Sequence, residues 1–249
     1  MEKARGLNVD AVILDLEDAV GPQEKKAARD RVAAFLLQRP FLTVVRINAL
    51  TSDEGADDLK AVAGADAILL PKVESAADLA AARLLAGAVP LWAMIETPRA
   101  VLTLAQIAEG AAALVLGAND LLKEMGGRHV AGRANLHYAM AALVTAARAH
   151  GALALDAVHN DIADTDGFAA ACTMARDFGF DGKCLIHPAQ IEPARAAFAA
   201  TAAEIADAKA LLAEFDKPEN RDRGVIAFRG RMVERLHADM ARRLLDGDA

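Results

Sequence analysis

A parallel α/β barrel of the TIM type, a (β/α)8 fold, is what this chain predicts, and three observations carry the prediction. Apolar runs of strand length alternate with segments of helical period along most of the 249 residues. Several of those runs are almost unbroken in apolar character, as strands covered on both faces must be. A chain 54% hydrophobic at this length can bury one large core, and a single barrel is an ordinary use of it.

The predicted strands are taken in order. They are VDAVILDLED (9–18), LTVVRIN (42–48), AILLPKV (67–73), PLWAMIET (90–97), AALVLGAND (112–120), LALDAV (153–158) and GKCLIHP (182–188). Repeated strand–helix units imply a parallel sheet. The opening MEKARGLNVD reads as a helix leading into the first of these runs. Seven units are one fewer than a closed barrel needs, so either a first strand is expected ahead of residue 1 or the barrel is open there. In the helix predicted over 22–38, Pro22 suits a first helical position, and Ala28, Val32, Phe35 and Leu36 fall on one face. Ser75 suits the N-cap of a helix over 76–87. Past residue 188 the pattern is mostly helical. FDKPENRDRG (215–224) reads as a charged, exposed linker, and 225–245 as a short extended piece followed by a terminal helix. Residues 1–200 are therefore read as the barrel and 201–249 as a helical extension.

Composition narrows the chemistry. Thirty-five acidic residues against 28 basic ones give a net charge of −7, which argues against a nucleic-acid surface. Cys172 and Cys184 form no Cys-x-x-Cys pair, so they read as buried free thiols rather than zinc ligands or a disulfide. No apolar run reaches membrane-spanning length and no basic-then-apolar leader opens the sequence, so a cytoplasmic protein is expected. Ser52 and Ser75 do not sit in a Gly-x-Ser-x-Gly elbow, and there is no Gly-x-Gly-x-x-Gly, Walker loop or His-Glu-x-x-His.

What is left is a set of polar residues at the C-terminal ends of the strands, where parallel barrels build their active sites. Asp15, Glu17 and Asp18 close the first run, Arg46 and Asn48 the second, and Lys72 the third. Glu96 closes the fourth, Asn119 and Asp120 the fifth, Asp156 the sixth and His187 the seventh. One such residue is ordinarily a cap or a surface pair. A polar residue after nearly every strand is a shared mouth, because parallel strands bring all those ends together. Glu96 and Asp120 come from adjacent strands, and two carboxylates suit Mg²⁺, which keeps several waters and takes further oxygens from substrate. Arg46 is placed to stabilise a developing oxyanion.

The stretches DAVILDLEDAV, VVRIN, LLPKVES, IETPRAV, GANDL and GFDGKCLIHPAQI, in this order, resemble the citrate lyase beta subunit-like family, with its HpcH/HpaI aldolase and malyl-CoA and citramalyl-CoA lyase relatives. The resemblance implies a barrel of the phosphoenolpyruvate/pyruvate superfamily, assembled as a homotrimer or a hexamer. It implies Mg²⁺-dependent cleavage of a 3-hydroxyacyl-CoA such as citramalyl-CoA or malyl-CoA to acetyl-CoA and a 2-oxo acid, or the reverse condensation. By that resemblance Glu96 and Asp120 are the metal ligands and Arg46 binds substrate and steadies the thioester enolate. Asp15, Glu17 and Asp18 form the acidic shell around the metal waters. Lys183 and His187 lie where the family binds the CoA portion. The family's late aspartate, which enters a neighbouring subunit's site, corresponds to Glu234 in MVERLH, and Leu236 stands at the family's proline position.

Other readings also fit the sequence. The thioester carrier is CoA or an acyl-carrier protein, and citryl thioester cleavage is a further possibility within the same chemistry. A Schiff-base aldolase through Lys72 needs a depressed lysine pKa, which the surrounding carboxylates oppose. A barrel that binds acyl-CoA with little turnover would keep Arg46 and the CoA-facing loops.

Overall fold

The computed structural model describes residues 6–38 and 41–247, and the helix expected at the start of the chain falls largely outside them. The chain divides into two compact units, one up to residue 197 and one from residue 198.

The first unit is a curled, all-parallel seven-stranded sheet whose strands follow one another in chain order. They are β1 (Ala11–Asp15), β2 (Leu42–Arg46), β3 (Ala67–Leu70), β4 (Leu91–Ile95), β5 (Ala113–Leu116), β6 (Leu153–Asp156) and β7 (Gly182–Lys183). All seven predicted strands are present. In β3, β4 and β5 every residue is buried, as the unbroken apolar runs required. Alternate residues point to opposite faces of a strand. One set, Val44, Ala67, Leu69, Trp92, Met94, Ala113 and Val115, packs as a single cluster with Ile13, Leu155 and Cys184 against it. Two residues further along three of those strands, on the same face, stand Asp15, Arg46 and Glu96. The polar site is thus the next layer above this apolar cluster.

The connections are helical: α1 (Lys25–Leu36), α2 (Gly55–Ala61), α3 (Ala76–Ala86), α4 (Pro98–Leu102), α5 (Leu104–Ala108), α6 (Ala118–Glu124), α7 (His137–His150), α8 (Thr165–Phe178) and α9 (Ile191–Phe198). Pro22 opens a 3-10 turn that runs into α1, whose buried residues are Ala28, Val32, Phe35 and Leu36. Ser75 caps α3, and the Asp78 carboxylate accepts from the Ser75 N–H at 2.9 Å and the Ser75 hydroxyl at 3.0 Å.

All seven strands are shorter than their predicted runs, and the first and seventh show why. The first ends at Asp15, because residues 16–18 turn back over the strand end. The seventh pairs only at Gly182–Lys183, plus the Cys184 N–H to the Asp156 carbonyl. Beyond it the Ile186 N–H donates to the Gln190 side chain at 3.0 Å, which meets a backbone need that a strand would otherwise have met.

The second unit packs α10 (Ala202–Phe215) and α11 (Arg235–Asp246) with a hairpin of β8 (Val225–Phe228) and β9 (Arg231–Glu234). Phe215, Ile226, Val233 and Ala238 form its core. The predicted extended piece is therefore a two-stranded hairpin. Arg229 and Gly230 both take positive φ, 48° and 78°, as a two-residue primed turn demands. The charged segment before it is exposed except at Phe215, in the core, and at Asn220, which is buried and donates to the Glu214 carbonyl at 2.9 Å. Among the described residues no helix is long and apolar enough to cross a membrane.

Candidate active site

The site begins with strand register. Asp15 on β1 lies beside Arg46 on β2, and the two side chains form a two-pronged pair: Nε to Oδ1 at 2.8 Å and a terminal nitrogen to Oδ2 at 2.5 Å. The other terminal nitrogen of Arg46 faces Glu17 at 3.0 Å and Asp18 at 3.7 Å. Burial alone would raise the Asp15 carboxyl. The hydrogen bond and charge of Arg46, with the N–H groups of Glu17 and Ala19, outweigh it and hold Asp15 below its usual value. Burial would likewise lower Arg46, and its acidic neighbours more than restore it. Sequence reasoning expected Arg46 to be reserved for substrate. In the structure one edge of the guanidinium is committed to Asp15, and the other is turned toward Glu17 and Asp18.

Glu17 is the most perturbed carboxylate in the site. Burial, with the charges of Asp18 and Glu96, pushes it up to about 7 against the pull of Arg46 and Lys72. Its Oε2 is buried and has no hydrogen-bond partner. The loop carrying it is held from below by Lys25, whose ammonium donates to the Leu16 carbonyl at 2.8 Å, the Glu17 carbonyl at 2.6 Å and the Asn48 side chain at 2.7 Å. Asn48 in turn donates to the Leu16 carbonyl and to fully buried Asp58, which also receives Arg29 at 2.7 Å. Sequence reasoning gave no part to Lys25 or Asp58. On an amphipathic helix a lysine reads as a surface charge, and only the tertiary fold shows what it reaches.

Glu96 follows β4 with 1% of its surface exposed. Its Oε1 accepts the Lys72 N–H at 2.7 Å, from a backbone at φ 51°. The Lys72 ammonium lies 2.8 Å from Asp120 and 3.6 Å from Glu96. Burial raises Glu96, with a further push from Asp120 and opposing pulls from Lys72 and Arg46. Burial would lower Lys72, but Asp120, Glu96 and Glu17 together raise it above its ordinary value. A lysine held protonated in this way is a poor Schiff-base nucleophile. Asp120 sits in the first turn of α6 rather than on the strand, because the helix starts directly after Gly117. Across the β4–β5 register Glu96 stands opposite Gly117, where a Cβ would meet Glu96 Cβ at 2.5 Å.

Further round the sheet, Asp156 is fully buried and accepts Arg133 at 2.7 and 3.0 Å and Lys183 at 2.6 Å. Only 1% of the Lys183 side chain is exposed, and its ammonium also reaches the Ala157 carbonyl. It therefore points into the fold, while exposed His187 caps the next turn through Nδ1, which accepts the Ala189 N–H at 3.2 Å. Cys184 is pushed up to about 11 by burial, and Cys172 is buried in α8. Both thiols are free. Glu234, in the second unit, caps α11, and its N–H donates to His237 at 3.0 Å.

Among the described residues, no three His, Cys, Asp or Glu side chains converge as a metal-binding group. The available donor set is the Glu96–Asp120 pair, with the Glu17 carboxylate, ion-paired to Arg46, nearby. Two carboxylates bridged by one ammonium, open to solvent at Asp120, fit an oxygen-preferring divalent ion that completes its shell with water and substrate.

The model of the HpcH/HpaI aldolase/citrate lyase family matches residues 1–188. The chain belongs to that family. A (3S)-malyl-CoA thioesterase of Cereibacter sphaeroides (strain KD131) is 44% identical over 98% of this chain and 88% of its own length. The citrate lyase subunit beta of Escherichia coli (strain K12) is 33% identical over 95% of this chain and 84% of its own. The crystal structure of CitE from Mycobacterium tuberculosis, in complex with magnesium, acetoacetate and coenzyme A, superposes with a TM-score of 0.83 at 34% identity. It spans 99% of this chain and 91% of that one. The family is enzymatic, and its members carry both lyase and thioesterase names.

Proposed function

We propose that this chain is a Mg²⁺-dependent carbon–carbon lyase that cleaves, or in reverse condenses, a 3-hydroxyacyl-CoA of the malyl-CoA or citramalyl-CoA type. The observation that carries the reading is the grouping of Glu96, Asp120, Glu17 and Arg46 at the C-terminal end of the parallel sheet. Glu96 and Asp120 would hold Mg²⁺. When bound, the ion supplies charge that acidifies the substrate hydroxyl and orients its carboxylate. Glu17, with its affinity for a proton near neutrality, takes the hydroxyl proton as the carbon–carbon bond breaks. The edge of Arg46 that faces Glu17 and Asp18 would exchange that contact for the substrate and offset charge on the thioester enolate, and Asp15 keeps that guanidinium in place. Lys183 contributes to the CoA side by anchoring the strand end that presents His187.

Residues 1–200 form the catalytic barrel in this reading, with an eighth strand closing the sheet between β1 and β7, each of which pairs on one side only among the described residues. Residues 201–249 form the extension that carries Glu234, which protonates the enolate carbon in a neighbouring subunit. Met232, Leu236 and Met240 are each half or more exposed, and an apolar surface of that kind supports assembly as a homotrimer or hexamer. A CoA thioester substrate fits a cytoplasmic enzyme.

A second reading, hydrolysis of the same thioester, is favoured by the relative named a malyl-CoA thioesterase. In that case Glu17 would activate water instead of the hydroxyl. A panel of 3-hydroxyacyl-CoA thioesters, assayed with and without Mg²⁺, tests the proposal. The lyase reading requires acetyl-CoA to appear only with the metal and to disappear in Asp120→Asn.

A further inference from the structure

We propose that Lys72 is a built-in competitor for the divalent ion: its ammonium spans Asp120 and Glu96 and must leave them for the ion to bind. The inference rests on the assignment of those two carboxylates as the metal pair.

Two independent contacts tie Lys72 to this pair. Its backbone N–H is fixed to Glu96 Oε1 at 2.7 Å, from a left-handed conformation that side-chain-bearing residues rarely adopt. Its ammonium stands 2.8 Å from Asp120 and 3.6 Å from Glu96. The backbone contact orients Glu96 whatever the side chain does, so positioning and charge are separable within this one residue. A divalent ion calls on the same oxygens, and an ammonium left a few ångströms from it would repel it strongly in a partly buried site. The side chain has the means to withdraw. It is 40% exposed, on a flexible four-carbon stem whose compact charge is readily hydrated. Arg46 cannot take over as counter-ion, since it is already engaged with Asp15, Glu17 and Asp18.

The alternative is that Lys72 is a fixed part of the site that steadies the carboxylates for the ion. The two ideas give opposite signs. If Lys72 competes, removing its charge tightens metal binding, and the loss of an ion pair of this exposure corresponds to a gain of up to about fivefold. If it steadies, removing it weakens binding.

The test uses the full chain stripped of metal, titrated with Mn²⁺ while the free-ion signal is followed by electron paramagnetic resonance. Thermal unfolding is measured with and without the ion. Lys72→Met and Lys72→Gln should bind Mn²⁺ more tightly than wild type, by up to about fivefold. Lys72→Arg, which keeps the charge, should bind no more tightly. Metal-free Lys72→Met should melt below wild type and gain more from Mn²⁺ than wild type does. Should Lys72→Met fail to fold, Lys72→Gln decides. Equal or weaker binding in the charge-removing variants, with binding lost in Asp120→Asn, overturns the competition and leaves the metal pair standing. Wild type without Mn²⁺ affinity, or Asp120→Asn with full affinity, overturns the metal pair and the competition together.

Discussion

Gly117→Ala should separate the metal pair without breaking the fold. Gly117 has φ −96°, which alanine tolerates, so the effect is steric and not a matter of backbone strain. An added Cβ would lie 2.5 Å from Glu96 Cβ, 2.9 Å from Glu96 Oε2 and 3.1 Å from Met94 Cγ. Carbon atoms in good contact sit roughly 3.5–4.0 Å apart, so Glu96 Cβ and the new methyl must part by about 1 Å. That carbon is fixed to the end of β4 and cannot swing aside as a side-chain tip would. The shift therefore passes to the carboxylate and its bond to the Lys72 N–H. Overpacking of this kind costs about 1–3 kcal/mol of stability, whereas an ångström of misplacement at a reacting centre costs on the order of a hundredfold in rate. Urea unfolding, Mn²⁺ titration and turnover on one preparation would show a folded protein with weakened metal binding and a kcat lower by about that factor. Wild-type metal affinity and turnover in Gly117→Ala would refute the placement of Glu96 in the site.

Glu17 sets a pH dependence. Its folded value, about 7, lies above its ordinary 4.5, so the native chain holds that proton more tightly than the unfolded one. The resulting stability is full below about 4.5 and is lost as pH rises through about 7. Urea midpoints across that range should fall more steeply in wild type than in Glu17→Gln, while turnover, needing the base form, rises over the same range and is absent from Glu17→Gln. Asp156→Asn should cost roughly 3–5 kcal/mol by urea unfolding, because it strips the buried partner from both Arg133 and Lys183. Glu234→Gln should lose turnover yet keep Mn²⁺ affinity, and mixing it with Arg46→Ala should restore some activity if Glu234 acts across subunits.

Strand positions and the polar layer were legible in the sequence because both follow from period and order. A parallel strand that ends in a charged residue puts that residue at the mouth whatever the helices do, which is why Asp15, Arg46, Lys72 and Glu96 were all found. The pairings among them were not legible. That Arg46 grips Asp15 depends on the β1–β2 register, and apolar runs do not encode register. Arg133 reaches Asp156 from an irregular stretch at φ 49°, a conformation for which an arginine gives no warning. The hairpin in the second unit was missed because its turn, Arg229–Gly230, lacks the Asn-Gly or Asp-Gly signature of primed turns.

The central claim is that the first bond broken joins two carbons, and the identity of the first products tests it most directly. Malyl-CoA or citramalyl-CoA mixed with the protein and Mg²⁺, quenched early and resolved by mass spectrometry, should yield acetyl-CoA and a 2-oxo acid in equal amounts before any free CoA. Free CoA and the intact hydroxy acid, formed with no acetyl-CoA at the earliest times, would contradict it.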